Sequence, residues 1–195
     1  MAIGKAADLP VHTFATAKAL TTWLAKHHAD SRGIWLRIAK KGAEVKTVSY
    51  AEVVEVALCY GWIDGQKQTD DEQCYLQRLT PRGAKSIWSQ INRGKAQALI
   101  EQGRMQVAGL QEIERAKADG RWDAAYESFS GATVPPDLQA ALDANPKAAA
   151  FYATLNRQNQ FAILFRVSNC KKAETRARRI EQFVAMLARH EKLYP

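Results

Sequence analysis

The chain has 195 residues, 47% hydrophobic and 25% charged, with 11 glycines and 6 prolines. That balance excludes a collagen, a disulfide miniprotein and an extended disordered chain, and leaves room for one ordinary domain plus a small appendage. Lys and Arg number 28 against 20 Asp and Glu, a formal charge of +8, which admits an anionic partner without naming one. The three cysteines, Cys59, Cys74 and Cys170, form no Cys-x-x-Cys pair, so no disulfide framework or cysteine-rich zinc site is indicated and a reducing compartment is expected. Residues 1–14 hold no apolar stretch of signal-peptide length, and nowhere do eighteen apolar residues run together; the expectation is a cytoplasmic protein without a transmembrane segment.

In chain order, Thr16 is placed to cap a helix running to about Ala29, because Leu20, Trp23, Leu24 and His27 recur at helical spacing. Ile34 to Ala39 reads as a strand of bulky apolar residues. Ser49 and Glu52 form a capping box for a helix reaching Tyr60, with Gly61 as terminator. Trp62 to Gly65 and Cys74 to Leu79 predict an antiparallel strand pair across an acidic turn at Asp70, Asp71 and Glu72. Helices are expected from Ile87 to Gln102 and from Val107 to Ala118.

Ser128 to Pro136 is a run of small residues, Gly and Pro, and sets a boundary between an α+β domain, residues 1–130, and a C-terminal helical module, residues 131–195. In that module Pro136 and Pro146 suit first helical turns, with Asn145 available as a cap. Phe161 to Val167 reads as a helix. A last helix from Ala173 to Ala188 aligns Ala177, Ile180, Val184 and Leu187. The absence of βαβ alternation gives the fold class: α+β, with a small, mainly antiparallel sheet.

No G-x-S-x-G, H-E-x-x-H or G-x-G-x-x-G motif occurs, and Gly83-Ala-Lys-Ser86 lacks the upstream glycine of a phosphate loop. His27 and His28, adjacent on a helix, point about 100° apart and cannot share one metal. Neither metal nor cofactor is indicated. The densest polar and aromatic region runs from Tyr60 to Asn92. If its two strands pair, Asp64, Arg78 and Arg82 converge near a helix start at Ser86, where Trp88 and Asn92 complete a surface for an anionic small molecule or protein. The alternative use of these residues is structural: Asp64 pairs with Arg78, Ser86 or Ser89 caps a helix, and Trp62 and Trp88 fill the core. An enzyme reading makes Asp64 an acid or base beside Arg78 and Arg82. A second basic surface, Lys171, Lys172, Arg176, Arg178 and Arg179, carries a nucleic-acid alternative, against which stands its reading as a solvated helix face.

These motifs together resemble the bacterial YdeI/OmpD-associated, or bacteriocin-protection, family. The C-terminal stretch carries the resemblance through Val134 to Leu142, Pro146 with Phe151, and Lys172 to Ile180; the N-terminal part carries it through Trp35 to Lys41, Ala57 to Gly65, Thr80 to Arg82, Ser86 to Ser89 and Gly120 to Tyr126. The resemblance implies protection against bacteriocins or antimicrobial peptides, a link to an outer-membrane porin and a periplasmic location. Against that location, no export signal is visible in residues 1–14, and the expectation from the residues stays cytoplasmic. The expectation is a non-catalytic binding protein in stress or bacteriocin tolerance.

Overall fold

A computed structural model describes residues 9–127 and 133–195. The chain divides into one compact unit ending at Ala125 and a second from Tyr126 to Pro195. The boundary expected between residues 130 and 131 lies outside the described residues.

The first unit is built on a four-stranded sheet in the order β1 (Val11–His12), β2 (Ile34–Ala39), β4 (Cys74–Pro81), β3 (Trp62–Thr69). Strands β2, β4 and β3 pair antiparallel, whereas the two-residue β1 joins β2 in parallel. Alternation across the pleat puts Ile34, Leu36, Ile38 and Leu79 on one face. That face shares a core with Leu20 and Leu24 of α1 (Ala17–His27) and with Val53, Val56 and Ala57 of α2 (Tyr50–Cys59). Both helices begin as their caps require. Thr16 Oγ1 accepts from the Ala19 amide, and Ser49 and Glu52 make the reciprocal capping box. Gly61, at φ +70°, ends α2 in a conformation that disfavours any side chain.

Strand β3 extends past Gly65 to Thr69, with a register shift between Asp64 and Lys67. The buried Gln77 fills that irregularity, its Nε2 donating to the carbonyl oxygens of Gly65 (3.0 Å) and Gln66 (3.3 Å). Helix α3 (Gln90–Glu101) starts three residues later than the apolar pattern suggests, because Ser89 caps it. Helix α4 (Val107–Ala118) packs against the end of α2, with the Gln106 amide donating to the Cys59 carbonyl oxygen at 3.2 Å.

The second unit is helical: α5 (Pro136–Asp143), α6 (Pro146–Thr154), α7 (Arg157–Ser168) and α8 (Ala173–Ala188). Asn145 and Asn156 cap α6 and α7. Leu138, Leu142, Ile163, Val167, Phe183 and Leu187 form its core. The tail folds back onto the buried Asn159, whose Oδ1 accepts from the Leu193 and Tyr194 amides and whose Nδ2 donates to the Tyr194 carbonyl oxygen.

Candidate functional site

Sheet geometry separates two residues expected to converge. Asp64 pairs with Leu79 across the β3–β4 ladder, so its side chain shares Leu79's face while Arg78, one position along, points to the other. Asp64 Oδ2 instead accepts from Tyr50 Oη at 2.7 Å, at the start of α2. The pairing of Asp64 with Arg78 is therefore corrected: strand alternation assigns them to opposite faces.

Arg82, Ser86, Trp88 and Asn92 do lie along one short segment, and the structure uses each locally. Arg82 is 5% exposed, its guanidinium stacked 3.7 Å from the Trp88 ring centroid, and its Nη1 donates to the Ile87 carbonyl oxygen at 3.3 Å. Ser86 Oγ accepts from the Gly83 amide, closing a turn, and the helix begins instead at Ser89, whose Oγ accepts from the Asn92 amide at 3.1 Å. Trp88 is buried against Trp122, with ring centroids 4.9 Å apart.

Three further arginines brace the same region. Arg115 Nη2 donates to the Arg82 carbonyl oxygen (3.3 Å), Arg121 Nη1 to that of Ser86 (2.6 Å) and Arg93 Nη1 to that of Trp122 (3.2 Å). Arg115 also pairs with Glu112. Burial pushes the Glu112 carboxyl above its ordinary value, against the downward pull of Arg115, Arg82 and Arg121. A segment without regular structure needs partners for its carbonyls, and these guanidinium groups supply them. In sequence Arg93 and Arg115 look like solvated helix charges and Arg121 like a turn charge beyond α4, so nothing marks the three as braces.

The histidines are also engaged locally. The His27 ring lies 4.9 Å from that of Trp23, and His28 Nδ1 donates to the Leu24 carbonyl oxygen at 2.9 Å. Among the described residues, no group of three or more His, Cys, Asp or Glu is placed to hold a metal ion.

In the C-terminal unit, Arg176 is a brace rather than part of a free basic surface. Its Nε and Nη2 donate to the two Asp137 carboxylate oxygens at 2.5 and 2.8 Å, and its Nη1 donates to the Val167 carbonyl oxygen at 3.0 Å. One planar fork thus joins α5, α7 and α8, a geometry lysine cannot supply. The Arg176 hydrogen bond holds the Asp137 carboxyl below the usual carboxylate range. Lys171, Lys172 and Arg178 are exposed and Arg179 is half-buried.

Beside this brace lies a groove of about 730 Å³ between α5 and α8. Ala141 and Ala144 line one side and Ala173, Ala177, Val184 and Ala185 the other, with the buried Ile180 beneath. Its charged lining consists of the Asp137–Arg176 pair and Glu181. Glu181 is exposed and makes no ion pair among the described residues. Small side chains on both helices create the space: each alanine leaves open volume that a leucine would fill. Such a concave apolar surface with few polar groups suits an apolar or amphipathic ligand.

Comparison with known families separates the two parts of the chain. The chain belongs to the family described as a domain of unknown function (DUF8412), which matches residues 12–112. Residues 131–190 match the family described as bacteriocin-protection, YdeI or OmpD-associated. The resemblance to the latter is thus established for the unit that holds the groove, while most of the N-terminal motifs fall within the former match. No curated protein and no solved structure matches the chain significantly. Among the described residues no helix is long and apolar enough to cross a membrane.

Proposed function

We propose that this chain, whose C-terminal unit carries the bacteriocin-protection match, is a non-catalytic binding protein contributing to tolerance of bacteriocins or other antimicrobial peptides, and that its ligand occupies the α5–α8 groove. The groove itself carries this reading: about 730 Å³ of mainly apolar concavity within the matched residues. Supporting it, Arg82, which is buried, and Arg93, Arg115 and Arg121 of the first unit donate to backbone carbonyls, which suits a scaffold.

The test fills the groove. Ala177 is exposed on α8, so Ala177→Phe occupies the space without entering the core. Cells lacking the protein are complemented with either form and challenged with a bacteriocin. The wild type restores survival and the folded variant, verified by circular dichroism, does not. Equal protection by both forms overturns the reading.

A further inference from the structure

We propose that the occupant of the α5–α8 groove is a short amphipathic α-helix bearing a basic residue beside its apolar face. This rests on the groove being the binding surface and goes further by naming what binds. The first observation is shape. The groove runs along α8 from Ala173 to Ala185, about 18 Å at helical rise, which matches about three turns of a second helix. Alanines at 173, 177 and 185 keep that side of α8 low, allowing another helix axis to approach closely and seat its larger side chains over Ile180 and Val184.

The second observation is charge. Asp137 and Arg176 neutralise each other in a bidentate pair, so the uncompensated charge lining the groove is the exposed Glu181 carboxylate. An acidic edge beside an apolar surface complements a lysine or arginine flanking an apolar helix face and disfavours a carboxylate. Beside Glu181 a fatty-acid headgroup would meet a like charge. The exposed Lys171 and Lys172 stand just before Ala173. An occupant antiparallel to α8 brings its C-terminal end, with the negative end of its dipole, beside these lysines.

The experiment uses the full chain and three probes: a synthetic Leu/Lys amphipathic helix of about 14 residues, its Leu/Glu counterpart, and palmitate. Binding is measured by isothermal titration calorimetry with wild type, Glu181→Lys and Ala177→Phe. The Leu/Lys helix is expected to bind the wild type, to weaken about five- to tenfold in Glu181→Lys as attraction becomes repulsion, and to lose binding in Ala177→Phe. The Leu/Glu helix is expected to gain affinity in Glu181→Lys. Preference of the wild type for the Leu/Glu helix, or indifference of the Leu/Lys helix to Glu181→Lys, overturns the proposal. Palmitate binding that only Ala177→Phe abolishes, without helix binding, overturns the helical occupant while leaving the groove as the binding surface. Binding of no probe, together with unchanged protection by Ala177→Phe, overturns both.

Discussion

Gly109 has no room for a methyl group. A Cβ there would collide with the Cys59 carbonyl oxygen and Met105 Sδ, and would sit 2.7 Å from the Leu58 carbonyl oxygen. The close approach joins the start of α4 to the end of α2, so relief requires moving backbone. Gly109→Ala is expected to destabilise the protein by about 1–3 kcal/mol in denaturant unfolding. Gly94 is the control: it is exposed in α3 with nothing within 4 Å, so Gly94→Ala should stabilise by about 0.5–1 kcal/mol through helix propensity and unfolded-chain entropy. Equal effects at both positions would contradict the packing described at the α2–α4 junction. Asn159, 1% exposed, partners the backbone of the last residues through both ends of its amide. Asn159→Leu should cost about 1–3 kcal/mol by leaving those groups without partners, and hydrogen exchange at the Leu193 and Tyr194 amides should accelerate.

At the scale of elements, the Asp137–Arg176 bond predicts a pH dependence. The folded state holds the Asp137 carboxyl below its ordinary value, so it binds that proton less tightly than the unfolded chain does. The bond's contribution is therefore complete above the unfolded value and is lost as the pH falls through the folded one. Asp137→Asn should lower stability by about 1–2 kcal/mol at neutral pH, allowing for the solvent screening of a half-exposed carboxylate, and should flatten the acid limb of the unfolding midpoint against pH. An unaltered acid limb would remove the bond from the stability account.

Elements whose ends carry chemistry were legible in the sequence. Thr16, Ser49 and Asn145 cap the helices they were expected to cap, and β2, α4 and α8 run between their expected residues. Strand β1 left no signal, because two residues held by a parallel neighbour show no periodicity. The outer part of β3, Gln66 to Thr69, was also illegible: an exposed polar ladder lacks the alternation that marks a strand. Of the expected site, Arg82 and Trp88 come together by stacking, a contact the sequence does not indicate, whereas Asp64 and Arg78 part because adjacent ladder positions face opposite ways. The groove could not be read at all. Alanine on a helix looks the same in sequence whether it faces solvent, a core or a cleft between helices.

Across the whole molecule, the charge of +8 is uneven: residues 155–195 carry 9 basic and 3 acidic side chains. Part of that excess is internal, since Arg176 binds Asp137 and Arg166 donates to the Ala162 carbonyl oxygen and the Tyr194 hydroxyl. The helical unit thus combines exposed cations at the start of α8 with an apolar groove edged by Glu181, the groove proposed to hold the ligand. The most direct measurement is an NMR titration of the isotope-labelled full chain with the Leu/Lys helix, following backbone amides and methyl groups. The largest shifts are expected on α5 and α8, at the Ala141, Ala177 and Val184 methyls. Largest shifts in the Arg82 to Asn92 segment, with α5 and α8 unmoved, would contradict the groove as the binding surface.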